Sequence, residues 1–414
     1  MKKLVCIVLL FALKQINGQN LVVIPDSNFV KYLATLVPAA MHTDSLDTTS
    51  TLVTASTHTI NVRAKSIKNL YGVQYFKSLT YLNCGANSLS SLPALAGSIQ
   101  YLVCPNNQLD SLPVLPVSLK YLFCDTNELT KLPSLPANLL EISCWQNQLS
   151  GFPALPHSLQ ALGFVYNYVS SLPALPTTLY FINGTLNYID SLPPLPHGLI
   201  YLEMSGNNMT HLPTLPIGLE YLYCQDNYLT SLPLLPASLL YLYCDGNKIT
   251  TLPSLPANLD ILHCGNNNIS CFPTFPANIN DLSIDPNPYT CLPNYTDAMP
   301  SNTASIYPLC KAGNTYGCAA VAGIGQLSAN NRLLSVYPNP GIGTINLSLS
   351  QANENEAYEL QMTSLLGEEV LHKTIMVKDG IFQFNADNLP DGTYFIQVKN
   401  ASETYMDKVI ISKN

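Results

Sequence analysis

The chain has 414 residues, a formal net charge of −8, 11% charged and 47% hydrophobic residues, 31 Pro, 24 Tyr, 12 Cys and one Trp. Such a length exceeds one ordinary domain, and the apolar content excludes a chain held unfolded by its own charge. With 18 Lys+Arg against 26 Asp+Glu and no basic block, it lacks the phosphate-neutralising surface on which nucleic-acid affinity rests, so no nucleic-acid partner is expected.

Met1-Lys2-Lys3, the apolar run from Leu4 to Leu13 and the small or polar stretch Ile16-Asn17-Gly18-Gln19 read as a secretory signal peptide over residues 1–19. No later run approaches the ~18 apolar residues of a membrane-spanning helix, so the mature chain is expected to have no span. Residues 20–78 read as an N-terminal cap. Within it Asp26 or Ser27 opens a helix with Phe29, Leu33 and Leu36 on one face. Ile60, Val62, Ile67 and Leu70 then outline a degenerate first repeat.

Over residues 79–292 a period of twenty residues governs the sequence. Asn recurs as Asn87, Asn107, Asn127, Asn147, Asn167, Asn187, Asn207, Asn227, Asn247, Asn267 and Asn287, with aliphatic residues five and eight positions before it and Leu-Pro pairs after it. The unit reads L-x-x-L-x-C-x-x-N-x-L-x-x-L-P-x-L-P-x-x. Leu82-x-Cys84 alternates with period two, which makes a short strand with one face inward. The Leu-Pro pairs fix φ and remove amide donors, which favours extended segments over helices. Stacked twenty-residue coils place equivalent residues about 4.8 Å apart in a parallel sheet. An Asn at the turn after each strand then satisfies both the N–H and C=O groups that leave the sheet.

This unit resembles the leucine-rich repeat, in the short Leu-Pro-rich form found in bacterial effectors and surface proteins. The resemblance implies a solenoid with a parallel β sheet on its concave face and an extended convex face. Cys84, Cys104, Cys124, Cys144, Cys224, Cys244 and Cys264 hold the inward strand slot and read as small buried hydrophobes. Phe164, Gly184 and Met204 interrupt that ladder, and Gly163 and Asn183 the outward aromatics, which reads as drift, with a bend or a pocket as the alternative.

A stack of coils needs closing at both ends, and residues 293–332 read as a Cys-containing C-terminal cap and linker. Cys271, Cys291, Cys310 and Cys318 are disulfide candidates in an exported chain. Adjacent-coil spacing favours Cys271–Cys291 and Cys310–Cys318 over the other pairings.

Residues 333–414 alternate with period two. Candidate strands run over 344–349, 358–363, 369–377, 381–385, 393–398 and 405–411, with turns at Asp379-Gly380 and Asp391-Gly392, the pattern of an immunoglobulin-like β-sandwich. Tyr337, Pro338, Asn339 and Pro340 open this segment. Leu366-Gly367 follows midway, then Gly392, Thr393 and Tyr394, and finally Lys408. Together these resemble the type A sorting domain of the type IX secretion system. The resemblance implies a mainly β protein delivered by that machinery to the medium or the outer cell surface.

Outward strand positions are aromatic: Tyr81, Tyr101, Tyr121, Phe123, Phe181, Tyr201, Tyr221, Tyr223, Tyr241 and Tyr243, with Trp145 in the loop beyond its strand. Rings on neighbouring strands stabilise a sheet by ~0.2–1 kcal/mol per pair, yet a wide tyrosine surface also suits an extracellular protein or glycan. No catalytic motif, cofactor fingerprint or metal-ligand spacing is found. The expected function is therefore non-enzymatic recognition or adhesion. The alternatives are a passive or self-associating surface element, and an effector acting on host proteins.

Overall fold

The computed structural model describes residues 14–16, 19–310, 334–337, 343–349, 357–364, 369–376, 381–400 and 404–412. Most of the expected signal peptide lies outside them. So do Cys318, the Leu366-Gly367 and Asp379-Gly380 pairs, and Pro338, Asn339 and Pro340 of the sorting motif. The chain divides into two compact units, Met1–Ala319 and Ala320–Asn414.

The first unit is a solenoid. Twelve three-residue strands, from Thr59–Asn61 through Tyr81–Asn83 to Asp281–Ser283, form one parallel sheet in sequence order. Each residue pairs with its equivalent one repeat on, as in Tyr81↔Tyr101 and Leu82↔Leu102. The periodic aliphatic residues point into the coils, and Leu79, Leu82, Cys84 and Leu89 are all inaccessible to solvent. No α-helix lies within the repeats, and the Leu-Pro segments run extended.

Two side-chain ladders tie the coils together. At the corner after each strand, all eleven Asn amides bridge to the preceding coil. Asn167 donates from Nδ2 to Cys144 O and Phe164 O, both at 3.0 Å, while its Oδ1 accepts from Leu149 N at 3.0 Å. Asn87 and Asn287, at the two ends, repeat this pattern. On the opposite side of the coil a hydroxyl does similar work. Ser118 Oγ donates to Gly97 O and Ile99 O, both at 2.7 Å, and Ser98, Ser158, Thr178 and Ser238 make the equivalent pairs.

The residue before every ladder Asn except Asn287 bends the chain through the left-handed region, where only Gly is free of Cβ strain. Gly206 and Gly246 fill it in two coils. Ala86, Asn106, Thr126, Gln146, Tyr166, Leu186, Asp226 and Asn266 fill it elsewhere, at φ between 51° and 58°.

The N-terminal helix spans Ser27–Leu36 with Asp26 as its N-cap. Asp26 Oδ1 accepts from the amides of Asn28 and Phe29. Its Oδ2 accepts from Lys68 and Asn69, which fastens the cap to the first coil. At the other end the disulfide is Cys291–Cys310, with Cα atoms 5.1 Å apart. This corrects the expected pairings. The cap adds a shorter turn rather than another twenty-residue coil: Leu292 pairs in parallel with Leu309, which brings Cys310 beside Cys291. Cys271 is also disulfide-bonded.

Where the thiol ladder is interrupted, the packing is compensated locally. The Phe164 ring fills the space above Gly184, where any Cβ would fall inside van der Waals contact of Phe164 Cζ.

The second unit has two antiparallel sheets. Leu334–Tyr337, Thr344–Leu349 and Ile381–Asn385 form one. Glu369–Met376, Ala357–Ser364, Gly392–Lys399 and Thr404–Ile411 form the other. Both contribute to one core that includes Val336, Ile345, Leu347, Leu360, Ile375, Ile396 and Val409.

Candidate functional site

The parallel sheet turns one face toward the coil interior and the other outward. All seven thiols of the ladder lie on the inner side and are fully buried. Burial raises their pKa, Cys84 to about 12, so they remain protonated and unreactive near neutral pH.

On the outward face the rings form two groups. In the first, Tyr101 and Tyr121 stack at 4.3 Å with planes 8° apart, and Tyr81 leans on Tyr101 at 5.9 Å. In the second, Phe181 stacks on Tyr201 at 4.7 Å, Tyr221 on Tyr241 at 5.0 Å and Tyr223 on Tyr243 at 4.9 Å. Tyr243 continues to His263 at 4.5 Å. His263 Nε2 lies 3.0 Å from Asp281 Oδ2, close enough for an ion pair when the ring is protonated. These side chains are half-buried by one another, with Tyr101 the most open of the strand rings at 36% exposure. Phe123 is likewise half-buried, opposite Ser143 in the next strand.

Between the groups the ring stripe stops. The outward positions there are Glu141, Ser143, Ala161 and Gly163, followed by Phe181 and Asn183. Trp145 folds back from its loop, so that its Nε1 sits 2.5 Å from where a Cβ of Gly163 would be. The only amino acid without a Cβ therefore seats the only indole. Asp125 accepts from Trp145 N at 2.8 Å and from Ser143 Oγ.

Polar groups at the near end of the second ring group are tied down. Glu203 Oε2 accepts from Tyr201 Oη at 2.6 Å and Asn183 Nδ2 at 2.7 Å. Burial, together with this bond to Glu203, raises the Tyr201 pKa. Burial also raises the pKa of Glu141. Among the described residues, the Glu141 carboxylate has no hydrogen-bond or ion-pair partner. The sequence places Glu141 in the outward slot of the ring stripe but does not show that it lacks a partner. Its one available signal was a charged residue in a slot otherwise held mainly by aromatics.

Beyond the strands, Trp145, Tyr166, Tyr168, Leu186 and Tyr188 are between 42% and 61% exposed along the same edge. Tyr168 and Tyr188 stack at 6.1 Å. Among the described residues no three His, Cys, Asp or Glu side chains converge on a metal position, and no helix is long and apolar enough to cross a membrane.

In the second unit, Tyr394 is buried and donates from Oη to Pro390 O at 2.8 Å, locking the turn that carries Gly392 and Thr393. Lys408 is exposed on the last strand, opposite Phe395. Tyr337 ends the first strand.

Twenty-residue coils, one parallel strand per coil and an Asn at each corner define a leucine-rich-repeat solenoid. The chain is similar to YopM from Yersinia enterocolitica WA-314, at 32% identity over 57% of this chain and 56% of that one, with a TM-score of 0.51. It thus spans little more than half the length of that relative. It is also similar to YopM, a leucine-rich effector protein from Yersinia pestis, at 30% identity over 54% and 76% of the two chains, with a TM-score of 0.45. A third similarity is to the functional domain of InlJ from Listeria monocytogenes, which includes a cysteine ladder: 18% identity, 94% and 97% covered, TM-score 0.49. No curated protein sequence matches at a significant level. Residues 335–412 match the secretion system C-terminal sorting domain. The chain is a leucine-rich-repeat protein carrying a type IX sorting domain, which directs it to the cell surface or the medium.

Proposed function

We propose that the protein is a non-enzymatic recognition or adhesion module that binds an extracellular protein or glycan across the ring-bearing face of its sheet. The observation that carries this reading is the placement of ten strand rings on one outward face, each still partly open to solvent. Half-open Tyr rings offer apolar area and a hydroxyl at low entropic cost, the combination that dominates binding surfaces. The buried, protonated thiols and the scattered carboxylates support a role without catalysis.

The test compares the secreted full chain with a Tyr201→Ser, Tyr221→Ser, Tyr241→Ser variant on a glycan array and against surface-protein extracts. Recognition predicts binding by the parent and its loss in a variant that stays folded by circular dichroism. A purely structural ring ladder instead predicts no ligand for either protein and only a lower melting temperature for the variant. Deleting residues 333–414 is expected to leave the protein in the periplasm.

A further inference from the structure

The interruption in the ring stripe has the features of a subsite. Tyr121, Glu141, Ala161 and Phe181 are register neighbours on four successive strands. Three strand spacings separate the two flanking rings by about 14 Å. Ala161 and Gly163 make the floor low, and the indole of Trp145, held over Gly163, forms its rim. Into this depression projects Glu141, the one carboxylate among the described outward strand positions without a partner. Glu203 is bonded to Tyr201 and Asn183, and Asp281 lies against His263. Removing a carboxylate from water without a partner is unfavourable, and the direction of the Glu141 shift agrees.

The electrostatic surroundings specify the sign of the missing partner. Asp125 lies beside Ser143 and Trp145 and adds a second carboxylate to the same neighbourhood. None of the outward strand positions carries Lys or Arg, and residues 79–290 contain three Lys and no Arg against twelve Asp and Glu. Flat rings on both sides attract a cation through their π faces. A planar guanidinium stacks on such rings, is weakly hydrated and can meet a carboxylate with two parallel hydrogen bonds; an ammonium group does less of each.

We propose that this depression receives an arginine side chain of a polypeptide partner, with Glu141 as its counter-charge and Tyr121, Trp145 and Phe181 as its walls. This rests on the recognition reading above and narrows its ligand to a basic polypeptide.

The test uses the secreted full chain and three probes. These are a fluorescein-labelled Gly-Ser-Arg repeat peptide, the same peptide with citrulline, the neutral isostere, in place of arginine, and a neutral hexasaccharide. The arginine peptide is expected to bind saturably and to lose about tenfold in affinity, roughly 1.4 kcal/mol, on Glu141→Gln. The same loss is expected when citrulline replaces arginine on the parent, whereas Asp281→Asn, an equal charge change elsewhere on the face, costs less than about twofold because exposed distant charges are screened.

Equal losses from Glu141→Gln and Asp281→Asn would reduce the effect to a general acidic field and overturn the assignment. So would citrulline binding as tightly as arginine, preference for the hexasaccharide, or no saturable arginine binding up to about 1 mM. The triple tyrosine variant separates the two claims. Loss of a natural ligand in that variant, with Glu141→Gln still binding it, would leave the recognition reading standing and this assignment refuted.

Discussion

Replacing Asn167 tests the corner ladder at a buried position. Its amide donates to Cys144 O and Phe164 O at 3.0 Å and to Val165 O at 3.4 Å, and accepts from Leu149 N at 3.0 Å. Cys144 O and Phe164 O each keep a second donor, from Asn147 and Asn187. The Leu149 amide has no substitute. Asn167→Ala therefore orphans one buried N–H, at ~1–3 kcal/mol, and weakens two carbonyls, for a total of about 3 kcal/mol. Asn167→Asp keeps the acceptor for Leu149 but points its other oxygen at carbonyls, so the folded state favours the protonated acid. The folded pKa is then above the unfolded value, the native state binds more protons, and stability falls as pH rises above ~3.9. Urea unfolding followed by the single tryptophan, Trp145, reports on the adjoining coil. With a slope of ~1–3 kcal/mol per M, the alanine variant should lower the midpoint by about 1 M or more. The aspartate variant should be clearly destabilised at pH 7 and recover toward pH 4. A midpoint for either variant at pH 7 within the ~0.5 kcal/mol typical of surface changes would refute the ladder argument.

Gly184→Ala drives a methyl group into the Phe164 ring and should cost ~1–3 kcal/mol. Adding Phe164→Leu should recover part of that loss, so a double-mutant cycle with no coupling would contradict the compensation. Thr126→Gly removes a β-branched residue from φ 53° and, against the added chain entropy of glycine, should leave stability unchanged or raise it by up to ~1 kcal/mol, read as a melting temperature. The seven buried thiols should resist a thiol reagent at pH 8 until the chain is denatured. Because their folded pKa values are raised, the native state keeps protons that the unfolded state loses. Stability should then fall by ~1.4 kcal/mol per thiol per pH unit above ~8.5, and a fold intact at about pH 11 would count against their burial.

The period, the inward residues and the corner amides were legible because each repeats one residue type at one spacing, and stacking turns that repetition into contact. The strands of the second unit were legible because Ile345, Leu347, Leu360, Met362, Ile396 and Val398 alternate with exposed or half-exposed neighbours. Three features were hidden. The left-handed corner is a backbone requirement shared by Ala86, Thr126, Tyr166 and Leu186, which have no side-chain chemistry in common. The hydroxyl ladder of Ser98, Ser118, Ser158, Thr178 and Ser238 is broken by Gly198 and Gly218, so its sequence pattern resembles an ordinary turn. The disulfide was hidden because the twenty-residue period sets Cys291 beside Cys271, whereas the parallel Leu292–Leu309 pairing in the cap sets Cys310 beside Cys291.

The gap in the ring stripe is difficult to attribute to stability. Tyrosines at Glu141 and Ala161 would join the stack ending at Tyr121 to the one beginning at Phe181, adding three cross-strand ring pairs at ~0.2–1 kcal/mol each. The chain instead places there a half-buried carboxylate and a methyl group, and seats its indole on Gly163. The gap coil and the next one hold the Phe164 and Gly184 pair, which restores the packing that the thiol ladder gives elsewhere. Sound packing beneath and a less stable choice above it, within the same few coils, is the arrangement expected where the outward side chains are set by what they contact.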